Sequence, residues 1–284
     1  MMTRPFPMKR FYILLLISTL TGCYESELVF GDQYEAVVEA YLYVDKQENK
    51  LRLSDMISFG SDTVGGEMIS GATITLHNEV QSWILTHSDS LPGTYFMEEE
   101  LAMIPGDTFR LRVELQEEIL SARTLIPDDP PPLSMSASSI RIPKVESIKE
   151  FKYVEMPDPL ELSWDNPKAR YYFLNIQNIE AYPESIMPDP PVDRPFAGGG
   201  FAFQMITQPT NDDFYTIDMR QLSHFGTHRV IFTSVNDEYV NLYNSLNQDT
   251  RELNEPYSNI ENGLGIFTAF NSDTLYFEVI PVFQ

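Results

Sequence analysis

The sequence has very little cysteine and comparatively little positive charge. Its 284 residues contain a single cysteine, Cys23, so no disulfide can form within the chain and its stability must come from packing. Lysine and arginine number 19 against 42 aspartates and glutamates, which gives a formal net charge of −23. Nucleic acids and anionic lipid head groups should repel so acidic a body, and nucleic-acid binding is therefore excluded.

The N-terminus lacks an apolar run long enough to span a membrane. The run Phe11–Leu20 is only about half as long as the roughly 20 apolar residues that a membrane-spanning helix needs. It follows the positive side chains of Arg4, Lys9 and Arg10, and it leads into Leu20-Thr21-Gly22-Cys23. This order of a basic, an apolar and a small-residue segment before a cysteine is typical of a lipoprotein signal peptide.

The segment around Cys23 predicts how the protein is anchored. We expect residues 1–22 to be removed, Cys23 to carry a diacylglyceryl group and a further acyl chain such as palmitate, and residues 23–33 to form a tether. The alternative is an ordinary cleaved signal with a chance cysteine. Tyr24-Glu25-Ser26-Glu27 resembles the surface-export signal of Bacteroidetes-type lipoproteins. The resemblance implies the outer leaflet of an outer membrane, with the periplasmic leaflet as the alternative.

The first half of the body has the pattern of short antiparallel strands. In residues 109–115, apolar side chains alternate with Arg110, Arg112 and Glu114, and a period of two indicates a strand with one buried face. Residues 34–126 contain about seven such segments, separated by turns at the spacing of a sandwich. The sequence therefore predicts a mainly-β fold and a first β-sandwich domain over 34–126.

A proline-rich segment divides the body. Residues 127–133 include Pro127 and three consecutive prolines, and they predict a linker between two domains, with an edge loop of one larger sandwich as the alternative. Residues 134–284 predict a second β domain. One helix is expected near residues 236–252, with Tyr239, Leu242, Tyr243 and Leu246 on its apolar face. A closing hairpin is expected over residues 263–281, with its turn at 271–273.

Several segments resemble known families. A strand with a tryptophan over 160–165, followed by an aromatic strand over 171–177, is similar to fibronectin type III and immunoglobulin-like sheets. Residues 69–76 and 93–95 resemble carboxypeptidase-regulatory and transthyretin-like sandwiches. The segments 237–243 and 255–267 resemble the Domain of Unknown Function four-two-four-nine family of Bacteroidetes-type outer-membrane lipoproteins. That resemblance implies an envelope lipoprotein encoded beside TonB-dependent transporters, and it brings no catalytic residues.

The sequence contains few residues that indicate catalysis or metal binding. His224 and His228 have a spacing that would place both on one face of a helix, but Gly226 and the flanking strand patterns argue against a helix there. Acidic clusters such as Asp128-Asp129 and Asn211-Asp212-Asp213 lack the order of a calcium loop, which favours solvated loops. We therefore predict no catalytic residue, metal or cofactor.

A long loop with proline and glycine carries aromatic side chains that could contact a ligand or a partner. The candidates are Tyr182, Phe196, Phe201 and Phe203, which border residues 182–200. Rigid aromatic side chains on loops are common contact residues, although packing is the alternative use for them.

The sequence as a whole favours a non-enzymatic outer-membrane lipoprotein. We expect two immunoglobulin-like or transthyretin-like β-sandwich domains, with the helix in the second, held at the membrane by lipid on Cys23. The expected role is an accessory to a TonB-dependent transporter, in ligand capture or in assembly of the complex. The alternatives are a hydrolase of envelope polymers and a structural or adhesive surface protein.

Overall fold

Strands make up most of the chain that the computed structural model describes, which is residues 36–44, 49–56, 66–99, 101–145, 153, 155, 157–186, 204–246 and 256–282. The strands are β1 (Ala36–Tyr43), β2 (Lys50–Asp55), β3 (Thr73–His77), β4 (Ser82–Ile84), β5 (Thr86–His87), β6 (Thr94–Phe96), β7 (Thr108–Leu115), β8 (Glu118–Leu125), β9 (Ser134–Met135), β10 (Ser139–Pro143), β11 (Leu160–Ser163), β12 (Tyr171–Asn178), β13 (Gln204–Ile206), β14 (Phe214–Ile217), β15 (Gly226–Val235) and β16 (Leu264–Val282). A helix, α1 (Asp237–Leu246), and a 3₁₀ turn, Met219–Gln221, complete these elements. The predicted signal peptide, Cys23 and the tether lie outside the described residues.

The strands form three sheets. Sheet A has nine strands in the order β13-β12-β15-β16-β1-β2-β6-β5, with β10 paired to β16. Sheet B has the order β4-β3-β7-β8, and sheet C has the order β14-β11-β9. The alternation predicted for 109–115 is confirmed, since β7 buries Phe109, Leu111 and Val113 and exposes Arg110 and Arg112.

Strand β16 is the longest element and joins the two halves of sheet A. Along one edge it pairs in parallel first with β1, from Leu264 to Phe270, and then with β10, from Glu278 to Val282. Along the other edge it pairs antiparallel with β15, from Phe270 to Val279. The hairpin expected here is wrong, because residues 264–282 form one continuous strand of 19 residues with no turn at 271–273.

The polar residues that suggested a turn, Asn271 and Ser272, lie within β16 and form hydrogen bonds there. Asn271 is buried, and its Nδ2 donates to the Pro127 carbonyl at 3.1 Å and to Asp129 Oδ1 at 2.9 Å. The hydroxyl of Ser272 lies 3.1 Å from that of Thr233, its partner on β15. Asn271 is thus satisfied by the segment after β8 and Ser272 by the neighbouring strand β15, so both polar side chains are accommodated in a continuous strand.

Two hydrophobic cores lie between the sheets. The first core packs the β1-β2-β6 side of sheet A against sheet B, and includes Phe109, Leu120 and Phe267. The second core packs the β12-β15-β16 side of sheet A against sheet C, and includes Trp164 and Phe277. Sheets stacked face to face over an apolar core are the defining arrangement of a β-sandwich. The mainly-β sandwich class is therefore confirmed, and we call the two halves the first and second sandwich.

The division at residues 127–133 stays a prediction. Core residues of the first sandwich come from residues 36–126 and from Ile260, Phe267 and Ala269, whereas those of the second lie between Leu133 and Val279. Sheet A continues across this change of core, and residues 34–284 form one compact unit.

Helix α1 packs on the outer face of sheet A. It begins directly after β15, with Asp237 and Glu238 in its first turn, where negative side chains suit the helix dipole. Val240 is buried against Val235 and Phe270, and Tyr239 meets the Phe270 ring edge-on with centroids 5.0 Å apart. The predicted apolar face is wrong at its last position, because Leu246 is 66% exposed.

Candidate functional site

The candidate site is a cleft beside the outward face of sheet B. It has a volume of about 530 Å³. Strands β3, β7 and β8 form one side, through outward residues that include His77, Arg110 and Arg123. The start of α1 and the segment before β16 form the other side, through Glu238, Tyr257, Asn259 and Glu261. We call this the sheet B cleft.

Three positive or titratable side chains form a row across the sheet B cleft. Arg110 on β7 lies directly opposite His77 on β3 and directly opposite Arg123 on β8. Arg112, one outward position further along β7, lies opposite Thr75 and Ser121. The pairing of strands thus gathers basic residues that are far apart in sequence into one place on an acidic protein.

The arginines of the cleft differ in their partners. Arg112 Nε donates to Glu114 Oε1 at 2.8 Å, and both side chains are about half exposed. Within the described part of the chain, Arg110 and Arg123 form no ion pair. Their guanidinium groups therefore remain available to an anion from outside.

The carboxylates across the cleft are held by neutral donors. Glu238 Oε1 accepts from Thr124 Oγ1 at 2.6 Å and from Asn236 Nδ2 at 3.2 Å. Glu261 Oε2 accepts from Ser121 Oγ at 2.7 Å. Each carboxylate has a second oxygen with no hydrogen bond among the described residues, so each of these two lining residues keeps a free acceptor.

The free edge of β8 has main-chain hydrogen-bond partners at Ser121 and at Leu125, on either side of Arg123. Ser121 exchanges two main-chain hydrogen bonds with Glu261, at 3.2 and 2.7 Å. Asn236 Nδ2 donates to the Leu125 carbonyl at 2.7 Å. Hydrogen bonding alternates along an antiparallel strand, so the N–H and C=O of Arg123, midway between, point to the same edge. That edge is open at Arg123 within the described residues.

The segment that carries the family resemblance has a structural role. Asn259 Oδ1 accepts from the Phe267 N–H at 2.9 Å, and its Nδ2 donates to the Phe267 carbonyl at 2.7 Å, as a neighbouring strand would. Gly265 has φ +111°, and a Cβ there would overlap the main chain of Val38 on β1. Glycine at this position therefore allows the main chains of β1 and β16 to approach closely.

His224 and His228 do not form a metal site on a helix, because β15 contains His228. The His228 ring is fully buried and stacks on Phe277 at 5.1 Å between centroids. With Nδ1–H donating to the Gly226 carbonyl at 3.0 Å, Nε2 faces the amide of Asn178. Burial lowers the pKa of His228, which favours the neutral ring and a packing role.

The other sequence candidates are dispersed. Tyr182 is 95% exposed beyond the end of β12, while Phe196, Phe201 and Phe203 lie outside the described residues. Asp128 forms an ion pair with Arg170, and Asp212 accepts from the Thr210 hydroxyl. Within the described ranges, no three His, Cys, Asp or Glu side chains come together as metal ligands do. No helix there is long and apolar enough to cross a membrane.

The row in the sheet B cleft was missed by sequence reasoning. Alternation places Arg110 outward, but it says nothing about which residue lies opposite on the next strand. The available signal was the short turn at Gln116-Glu117, because a two-residue hairpin loop fixes the register and makes Arg123 the partner of Arg110. His77 could not be added without knowing that β3 pairs with β7.

Comparison with known proteins identifies a family, and the similar solved structures include the following two weak likenesses. The chicken CNTN1 FN1–FN3 domains are 12% identical, with 70% of this chain and 60% of that chain covered and a TM-score of 0.26. A structure described as "Structural basis for Dscam isoform specificity" is 8% identical, with 87% and 44% covered and a TM-score of 0.19. The chain thus spans less than two thirds of either structure, and such low TM-scores carry no argument.

No curated protein matches the sequence. The family described as "Domain of unknown function (DUF4249)" matches residues 30–275, which is most of the chain. This match includes the first sandwich, α1, the Asn259–Gly265 segment and the second sandwich up to residue 275 within β16. The chain therefore belongs to the DUF4249 family.

Proposed function

We propose that the protein is a non-enzymatic lipoprotein of a Bacteroidetes-type outer membrane, which serves a TonB-dependent transporter by capturing ligand or assembling the complex. The observation that carries this proposal is the sequence Leu20-Thr21-Gly22-Cys23 at the end of a basic and then apolar segment. A thiol in that position is the acceptor of lipid, and two or three acyl chains hold a protein firmly to a membrane.

The architecture supports a binding role. Each sandwich has a packed core beneath its exposed faces. The sheet B cleft is lined by guanidinium groups on strands, by a carboxylate on α1, and by a carboxylate and a phenol on the segment before β16. Sites on rigid elements hold their side chains well enough for recognition. A hydrolase would use converging titratable groups of shifted pKa in a cleft. The histidine of lowered pKa, His228, lies instead in the second core.

The anchor is tested by Cys23→Ala in the native host. We expect the unchanged protein to sediment with the outer membrane and to incorporate a labelled palmitate analogue. The variant should appear in the soluble envelope fraction without label, because no acyl chain can be attached. Ser26→Ala is the matched control, since it changes a neighbouring small residue and leaves the cysteine box intact. A Cys23→Ala protein that still sediments with membranes would refute the lipid anchor.

The transporter partnership is tested by crosslinking in intact cells, followed by detergent extraction and purification of the lipoprotein. We expect a TonB-dependent transporter to be recovered with it, and recovery to fall when Cys23→Ala removes the protein from the membrane. A lipoprotein recovered alone after crosslinking would count against the accessory role. Recovery of further copies of the same chain would favour the structural or adhesive alternative.

A further inference from the structure

The outward face of sheet B contains two arginines directly opposite each other on neighbouring strands. Arg110 and Arg123 lie directly opposite each other on adjacent antiparallel strands, with His77 on the other side of Arg110. Side chains in such pairs have Cβ atoms about 4.5–5.5 Å apart, and like charges there are destabilising. The fold does not need arginine at either position, because both side chains are exposed and neither touches a core.

Neighbouring acids form no ion pair with Arg110 or Arg123 among the described residues. The nearby carboxylates of Glu238 and Glu261 accept hydrogen bonds from hydroxyl and amide groups, and no ion pair joins them to Arg110 or Arg123 in the described chain. The protein has more than twice as many acidic as basic residues, so two uncompensated arginines facing one cleft run against its composition. An arrangement that is unfavourable for folding and is kept at a cleft is typical of a binding site.

We propose that the sheet B cleft binds an oligosaccharide that carries oxyanion groups, either uronate carboxylates or sulfate esters, and that Arg110 and Arg123 hold the anionic group. A planar guanidinium donates two parallel hydrogen bonds to such an oxyanion. His77 and the open main-chain N–H of Arg123 add donors beside it. This proposal deepens the proposed function, on which it rests, because it names the class of ligand to be captured.

The other side of the cleft matches the rest of such a ligand. Glu238 and Glu261 each keep one carboxylate oxygen that can accept a hydrogen bond from a sugar hydroxyl, and Tyr257 offers an aromatic ring to the apolar face of a sugar. An acidic peptide could donate main-chain N–H groups to these acceptors, but it would also bring closely spaced carboxylates towards Glu238 and Glu261, which would repel them. A continuous polyanion would also be repelled by the net charge of −23. A sugar chain with separate anionic groups and many hydroxyls fits both the arginine side and the carboxylate side of the cleft.

The binding test uses the full processed protein purified in detergent and titration calorimetry at fixed salt. The probes are trigalacturonate and its fully methyl-esterified form, a sulfated galactose disaccharide and its unsulfated form, and hexaglutamate. We expect saturable binding of one or both anionic sugars, with at least tenfold weaker binding of the neutral counterpart. The carboxylate and sulfate arms show which group the site takes.

Arg110→Gln and Arg123→Gln identify the site. Each should weaken binding of the anionic sugar by about tenfold or more, because a charge-assisted hydrogen bond is lost. Arg141→Gln is the matched control, an exposed arginine on β10 of sheet A that does not line the cleft, and it should bind as the unchanged protein does. Equal binding by Arg110→Gln, Arg123→Gln and the control would overturn the proposal. Tighter binding of hexaglutamate, or binding of no probe, would also overturn it.

A second measurement separates recognition from a structural role. If the arginines are kept for binding, Arg123→Gln should unfold at a higher temperature than the unchanged protein without ligand, since the repulsion with Arg110 is removed. A lower unfolding temperature would show that the arginine stabilises the fold, which contradicts the proposal. Failure of these tests would leave membrane anchoring and transporter recovery unaffected, so the two proposals can fail separately.

Discussion

The two sandwiches differ in where their core residues come from. The second sandwich takes its whole buried core from a continuous stretch, Leu133–Val279. The first sandwich uses residues 36–126 but also needs Ile260, Phe267 and Ala269 from near the end of the chain. One half of the body is therefore complete within its own segment, whereas the other depends on a strand that also belongs to its neighbour. Similar sandwiches can thus depend on the rest of a chain to different degrees.

Expressing the two sandwiches as separate fragments should have the largest effect on folding. We expect residues 34–132 expressed alone to be unfolded, because β1 would lose its partner β16 and the core would lose Phe267 and Ala269. Residues 133–284 should keep a cooperative unfolding transition, since their core is intact. Circular dichroism and thermal unfolding of both fragments would show this. A cooperatively folded 34–132 fragment would mean that the borrowed strand is dispensable.

Two phenylalanines on β16 sharpen the comparison, since Phe267 lies in the first core and Phe277 in the second. Each is 1% exposed, so each change to alanine should cost about 3–5 kcal/mol of the free energy of unfolding. The two tryptophans report the cores separately, because Trp83 stacks on Phe109 and Trp164 packs against Phe232.

We expect Phe277→Ala to lower the urea midpoint reported by both tryptophans, and Phe267→Ala to lower mainly the midpoint reported by Trp83. Single-tryptophan variants made with Trp83→Phe or Trp164→Phe would separate the signals. The reason is that the first core depends on β16, which the second core holds in place. Equal shifts at both tryptophans in both variants would show a single cooperative unit instead.

The crossing of β1 and β16 should be sensitive to one methyl group. Gly265→Ala would place a Cβ against the Val38 main chain at a residue with φ +111°, which we expect to cost about 2 kcal/mol or more. Gly106→Ala is the control for backbone conformation alone, with φ +91° and nothing within 4 Å of its Cβ. Chemical denaturation would compare them. Equal losses in the free energy of unfolding would show that the close approach to Val38 adds no cost beyond that of the backbone conformation.

The smallest expected effect is a pH dependence of the second sandwich. Burial lowers the pKa of His228 in the folded protein below its ordinary value of 6.5, so the unfolded chain binds the proton more readily. The stability that the neutral His228 ring contributes is present above pH 6.5, and it is lost as the pH falls towards the pKa of the folded protein. The unfolding temperature should therefore fall more steeply between about pH 8 and pH 5 for the unchanged protein than for His228→Gln. Parallel curves would contradict this.

The parts of the fold that depend on neighbours in sequence could be predicted from it. The alternation in 109–115 is visible in seven consecutive residues, and the helix start at Asp237 follows from its first-turn acids and its apolar spacing. The parallel pairing of β1 with β16 could not be predicted, because Val37 and Leu264 meet from opposite ends of the body.

Asn271 shows why one expectation was wrong. A polar triplet at 271–273 has the composition of a turn, but the groups that satisfy Asn271 are Pro127 and Asp129, which lie far away in sequence. The sheet B cleft has the same origin, since its row of His77, Arg110 and Arg123 exists only once three strands are in register. Local pattern therefore predicted elements, whereas the candidate site depended on pairings between distant segments.

The shared strand β16 also constrains the order in which the protein can fold. Residues 36–126 are synthesised before β16, and the strand that completes their core follows all the other strands of the second sandwich in chain order. Contacts between segments so far apart close slowly, because a long loop must be ordered before they form. We expect the first sandwich to stay unfolded until β16 has been synthesised, and the second sandwich to provide the surface on which it then assembles.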